Sequence, residues 1–165
     1  MNALEMLKQD HQKVKGLFEE ATHATDTSKR KDLFDKIDTE LEIHAHVEET
    51  IFYPAIEVHE ELKDMVAEAL EEHEQAKTLL GELEELGADS HEFGAKLQQL
   101  IEAVEHHVEE EEGEMFPKIR EVFEEDELEQ LGQDLESGIG NPCKLPHAVG
   151  FLRCGARDPL TKPLC

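Results

Sequence analysis

The chain has 165 residues and a formal net charge of −25, from 41 acidic against 16 basic side chains. Its length suits one domain around a single core. The charge speaks against nucleic acid and anionic membrane as partners, because both are gripped through basic patches. No apolar run approaches the about 20 residues of a membrane span. The opening MNALEMLKQDH has neither a basic n-region nor an apolar h-region, so no signal peptide is expected. Residues 1–142 contain no Cys and hence no disulfide framework. Together these features lead us to expect a soluble, cytoplasmic protein.

The first segment, about Asn2 to Thr25, carries a seam of Leu4, Leu7, His11, Val14, Phe18 and Ala21 in alternating steps of three and four, the helical period. Thr25-Asp26-Thr27-Ser28 breaks it and supplies N-cap candidates. The second segment, about Lys29 to His59, has the seam Ile37, Leu41, His44, Glu48, Ile51, Ala55, and Pro54 should kink it or end its regular hydrogen bonding. The third, about Glu60 to Leu86, shows Leu62, Val66, Ala69, His73, Ala76, Leu80 and Leu83, with Gly87 as C-cap candidate. Asp89-Ser90 offers an N-cap to the fourth, whose seam is Leu97, Leu100, Val104, His107, Glu111, Met115. A short fifth stretch, Glu127 to Leu135, is expected to be helical. Four long amphipathic segments with short joins predict an all-α fold, an antiparallel up-down four-helix bundle of two helical hairpins over residues 1–136.

From Ser137 the composition changes. Residues 137–165 hold four Pro, four Gly, all three Cys and four basic residues against one acid. Cys143, Cys154 and Cys165 are eleven apart, which matches no zinc spacing. This irregular tail is expected to lie outside the fold.

The chemistry is carried by an internal repeat. HAHVEETIFYP, from His44 to Pro54, returns as HVEEEEGEMFP, from His107 to Pro117, with His, Glu and Pro all at an offset of 63 (107 − 44, 111 − 48, 117 − 54). His11 maps onto His73 at 62. On a helix His44 and Glu48 share a face, as do His107 and Glu111. Six polar side chains therefore interrupt apolar seams: His11, His44, Glu48, His73, His107 and Glu111. Burying four imidazoles and two carboxylates together is costly unless something pairs them. The Lys and Arg residues fall mostly off the seams, so metal cations are the expected counter-charge. Imidazole plus carboxylate without thiolate suits iron, manganese or zinc, and calcium is disfavoured. If both Glu bridge two ions, each ion has two His and two bridging oxygens, leaving about two of roughly six positions for an oxo or hydroxo bridge, water or a small ligand.

These motifs resemble the hemerythrin-like, HHE cation-binding family. The resemblance covers about residues 2–125 and rests on Asp10-His11, HAHVEETIFYP, Glu71 to His73 and HHVEEEEGEMFP from His106. It implies a four-helix bundle holding a non-haem di-iron centre, two iron ions with an oxo or hydroxo bridge. The implied metal ligands are His11, His44, Glu48, His73, His107 and Glu111. The sequence departs from oxygen-carrying hemerythrins at Lys77, where those have a further His, and at Glu111, where they have Asp. The departures weigh against reversible oxygen carriage. The branch resembled is that of bacterial HHE proteins tied to iron, oxygen, nitric oxide or peroxide responses.

The expected function is binding or sensing of a small diatomic or peroxide ligand at a di-iron centre. The alternatives are a di-iron enzyme of peroxidase, catalase-like or oxidase type, and an iron store or donor. Other residues read less sharply. His23, His59, His91 and His147 look like surface or loop residues, and His46 and His106 point away from the seam by about 100–200°. Glu49, Glu110 and Glu112 neighbour the ligands and are read as non-ligands. Tyr53 reads first as bundle filler, with a donor role near the site as the alternative. Lys15 and Lys77 read as solvated surface.

Overall fold

A computed structural model describes residues 1–139. The described residues form α1 (Ala3–His23), α2 (Thr27–Val47), a π-helical turn (Glu48–Phe52), α3 (Tyr53–Ile56), a 3-10 turn (Glu60–Leu62), α4 (Lys63–Leu86), α5 (Phe93–Glu110), a second π-helical turn (Glu111–Met115), α6 (Phe116–Val122) and α7 (Glu125–Ile139). Helix α1 packs beside α2 and α4 beside α5, giving the two antiparallel hairpins of a four-helix bundle. The three Cys and His147 lie outside the described residues.

The ends of the helices follow from their residues. Asn2 accepts from the Glu5 N–H at 3.0 Å while Glu5 accepts from the Asn2 N–H at 3.3 Å, a reciprocal cap. Asp26 caps α2 by accepting from the Lys29 N–H at 2.9 Å. Gly87 ends α4 at φ 74°, a left-handed conformation that favours glycine, and its N–H donates to Leu83 O. Ser90 Oγ accepts from the Glu92 N–H at 3.2 Å, so α5 begins at Phe93, slightly later than Asp89-Ser90 suggests.

Pro54 and Pro117 do not end their helices. Each follows a π-helical turn, in which the Tyr53 N–H reaches Glu48 O and the Phe116 N–H reaches Glu111 O. Proline lacks an N–H and its ring clashes with the carbonyl four residues back. The wider turn accommodates both problems and lets the helix resume as α3 and α6. The repeat at offset 63 therefore encodes a repeated backbone irregularity.

Two apolar clusters fill the bundle. One gathers Val14, Phe18, Phe34, Ile37, Leu80, Leu83, Phe93 and Leu100 with their neighbours. The other gathers Leu4, Leu7, Phe52, Tyr53, Ile56, Leu62, Val66, Phe116 and Ile119. His11 falls between Leu7 and Val14 in the chain, and the other histidines of the seams are likewise bracketed by members of the two clusters. The polar layer thus lies between two cores, each able to hold its end of the helices.

Helix α7 is longer than the stretch Glu127 to Leu135, and residues 137–139 belong to it. Leu128, Leu131 and Leu135 join the second cluster. Gly132 allows α7 to lie against the start of α1, where an added Cβ would stand 2.6 Å from Met1 O and 3.1 Å from Ala3 N. Asn2 Nδ2 also donates to Glu125 Oε1 at 2.6 Å, closing the same contact. We expect Gly132→Ala to push α7 off α1 and lower stability by about 1–3 kcal/mol, since the obstructing atoms are backbone. Gly81→Ala, in α4 with nothing within 4 Å, should instead raise it by about 0.5–1 kcal/mol. Thermal melting of the two variants, followed by circular dichroism, checks both signs.

Candidate metal centre

The six seam residues meet in one buried layer. His11, His44, His73 and His107 are 5–6% exposed, Glu48 0% and Glu111 1%. Their donor atoms form two clusters, His11–His44–Glu48–Glu111 and Glu48–His73–His107, with the atoms of each cluster within 4.8 Å of one another. Glu48 belongs to both. Its Oε2 lies 3.2 Å from His44 Nε2, 3.2 Å from His73 Nε2 and 4.0 Å from His107 Nε2. Glu111 Oε2 lies 3.4 Å from His11 Nε2 and 3.7 Å from His107 Nε2. Each carboxylate thus stands between histidines of both clusters, Glu48 with the shorter contacts.

Outer carboxylates fix the way the imidazoles face. The Nδ1–H of His11 donates to Glu112 Oε1 at 2.8 Å, that of His73 to Glu49 Oε1 at 2.9 Å, and that of His107 to Glu72 Oε2 at 2.9 Å. His44 Nδ1 has Asp10 Oδ2 at 4.0 Å. With Nδ1 of His11, His73 and His107 engaged outward, Nε2 is turned to the interior, the arrangement found around metal-ligating histidines. His73 Nε2 and His107 Nε2 stand 3.2 Å apart, within hydrogen-bonding distance. His11 Nε2, both ring nitrogens of His44, Glu48 Oε1 and Glu111 Oε2 are buried without a hydrogen-bond partner. Buried polar atoms of this kind are costly when left alone. Inward ring nitrogens and bare carboxylate oxygens, with no cationic side chain among them, are a donor set that fits metal cations.

Tyr53 is part of the layer. Its hydroxyl donates to Glu111 Oε1 at 2.9 Å and stands 3.3 Å from Glu48 Oε2 and 3.4 Å from His73 Nε2. This corrects its reading as filler. The π-helical turn explains the miss: it brings Tyr53 one turn below Glu48 at a spacing of five, which a search at three and four passes over. Glu49 and Glu112 lie outside the donor clusters yet hold His73 and His11 in place. Their signal was the repeat itself, since they keep the same offset, 112 − 49, as the two ligand glutamates. Lys77 is exposed, but its Nζ donates to Glu49 Oε1 at 2.8 Å and to Glu74 at 2.9 Å, so it acts on the centre through Glu49. His23 and His46 lie away from the layer; His23 Nδ1 faces Glu19 O on its own helix.

Without metal, protons stand in for the cations. Burial lowers the His11 imidazole, but the nearby carboxylates of Glu111, Glu48 and Glu112 outweigh it and raise the group to about 9. His73 is likewise lowered by burial and raised more strongly by Glu48 and Glu49, again to about 9. Burial draws Glu48 upward, yet His44, His73 and His107 together hold it well below the usual carboxylate range. The Tyr53 phenol is pushed far up by burial and by the charges of Glu48 and Glu111, so it keeps its proton.

A bundle with such a layer defines a class of cation-binding helical domain, and comparison with known proteins identifies which one. The chain belongs to the hemerythrin HHE cation binding domain family, whose profile matches residues 2–119. The crystal structure of a hemerythrin HHE cation binding domain-containing protein of Mycobacterium kansasii superposes with a TM-score of 0.77 at 30% identity, over 86% of each chain. An uncharacterised protein of Mycobacterium tuberculosis is 31% identical over 142 residues, 84% of this chain and 86% of the relative. A DNA nickase of Nostoc is 29% identical over 156 residues, 94% of this chain, and the chain spans 43% of the nickase's length.

Two expectations follow. Glu48→Ala and Glu111→Ala should each abolish most metal retention, whereas Glu49→Ala should weaken it by about 10–100-fold while leaving the donors in place; metal analysis after dialysis against a graded chelator orders the three. The second concerns pH. In the metal-free protein His11 and His73 titrate above their ordinary value of 6.5. Their contribution to stability is complete below 6.5 and lost as pH rises through about 9. Metal replaces those protons, so the gain in melting temperature on loading should be larger at pH 9 than at pH 6.5.

Proposed function

We propose that the layer holds two iron ions and that the chain binds or senses a small ligand there, of the class of oxygen, nitric oxide or peroxide. The observation that carries this reading is the pair of donor clusters sharing Glu48. Iron, when bound, supplies open coordination positions and one-electron chemistry. The protein supplies the rest. Glu112, Glu49 and Glu72 orient three imidazoles, and the apolar clusters on both sides keep bulk water out. The cluster of Glu48, His73 and His107 offers one donor fewer than its neighbour, and Lys77 is turned toward Glu49 and Glu74 rather than inward. That side is the natural place for an exogenous ligand.

The nickase likeness does not extend to a DNA partner in this reading. With 41 acidic and 16 basic side chains, the chain is poorly made for a phosphate backbone. The long Cys-free stretch, residues 1–142, fits a reducing cytoplasm. A second reading, peroxide-consuming enzyme, is favoured by one observation: Tyr53 holds a proton at the centre of the layer, 2.9 Å from Glu111 Oε1.

Metal analysis and optical spectroscopy of the iron-loaded protein test the first reading. About two iron ions per chain are expected, with near-ultraviolet bands that shift on adding azide, peroxide or nitric oxide. One ion per chain at full loading, without magnetic coupling, overturns it. Stopped-flow peroxide consumption separates the second reading, which requires turnover and a fall of at least about 100-fold in Tyr53→Phe with iron content unchanged.

A further inference from the structure

A third group of ligating side chains lies outside the buried layer. Glu72 on α4 directly precedes His73, and on α5 His106 and Glu110 lie on either side of His107 in the chain. His106 Nε2 stands 3.2 Å from Glu110 Oε1 and 3.5 Å from Glu72 Oε1. The three donor atoms are within 4.8 Å of one another. The side chains are 63%, 33% and 15% exposed for His106, Glu110 and Glu72, so the group opens to solvent.

Comparison with the other outer carboxylates gives the group its meaning. Glu112 is accompanied by Lys8 at 3.5 Å, and Glu49 by Lys77 at 2.8 Å. Among the described residues, Glu72 has an imidazole and a second carboxylate where those two have a lysine. Glu68 and Glu114 add further negative charge around Glu110. Glu72 is also anchored: its Oε2 accepts from His107 Nδ1 at 2.9 Å, which leaves Oε1 aimed at His106. One carboxylate therefore serves the buried centre with one oxygen and the outer group with the other.

We propose that Glu72, His106 and Glu110 form an outer site for a divalent transition-metal ion, from which metal passes to the buried centre along the Glu72–His107 edge. One imidazole and two carboxylates suit zinc, iron(II) or manganese(II), and the imidazole disfavours calcium. Three donors on an exposed surface leave positions for water, which suits exchange rather than retention. The transfer role rests on the metal-holding reading of the buried layer; the outer site does not.

The test begins with equilibrium dialysis of zinc against the iron-loaded protein, with iron and zinc quantified in the same sample. About one zinc ion per chain should bind beyond the iron, which stays constant. His106→Ala and Glu110→Gln should weaken that zinc at least about tenfold, and Glu105→Gln, an exposed glutamate on the same helix, should not. Glu72 is left intact because it holds His107. No extra zinc, or equal weakening by Glu105→Gln, overturns the site and assigns the binding to a diffuse acidic surface. The transfer role is read from iron(II) uptake by metal-free protein, several-fold slower in His106→Ala with the same final iron content. An unchanged rate overturns transfer. A wild-type protein that takes up no iron defeats the buried-centre reading instead, and His106-dependent zinc binding then still decides the outer site.

Discussion

The structure turns on a layer of four imidazoles and two carboxylates held between two apolar cores. Their inward atoms are ring nitrogens and carboxylate oxygens, with His73 Nε2 and His107 Nε2 3.2 Å apart. Such a layer is stable only with positive charge inside it, whether protons or metal. The remaining features follow from that demand. Outer carboxylates engage the outward ring nitrogens of His11, His73 and His107. The π-helical turns place Glu48 and Glu111 at the same level as the histidines and bring Tyr53 beneath them. The apolar clusters give the helices reasons to exist that do not depend on the layer.

The outer shell repeats the symmetry of the chain. His11 donates to Glu112 and His73 to Glu49, so each of these pairs joins the first hairpin to the second. The other two pairs stay within a hairpin, His44 with Asp10 and His107 with Glu72. The departures from symmetry are as informative. The Asp10 pair is long at 4.0 Å, leaving His44 Nδ1 without a hydrogen bond, where the Glu72 pair is 2.9 Å. Glu111 spends one oxygen on Tyr53, and Phe116 occupies the matching place in the second repeat.

The helical seams were legible because burial writes a period of three and four into the sequence. So were the six donors, since a polar residue on an apolar seam stands out, and the offsets of 63 (His44 to His107, Glu48 to Glu111) and 62 (His11 to His73) pair them. Less legible was everything set by departures from the ideal helix. Pro54 announced a disturbance but not its form, and only the π turn makes Tyr53 a neighbour of Glu48. The supporting carboxylates were hidden in an acidic chain, where a functional glutamate looks like any solvated one. The full extent of α7 escaped because its last residues, Ser137 to Ile139, include a helix-disfavouring glycine that serves close packing: Gly138 sits where a side chain would meet Ile51.

The crossing of His11 and His73 to the opposite hairpin bears on the order of assembly. Each hairpin is made from contacts near in sequence, which form quickly. Glu112 and His11 are 101 residues apart, and neither hairpin can complete the donor layer alone. The layer therefore closes only when the two halves dock, and charges are buried at that step. A cation held across the seam acts as a clasp: it slows the parting of the halves while leaving the speed at which each is made untouched.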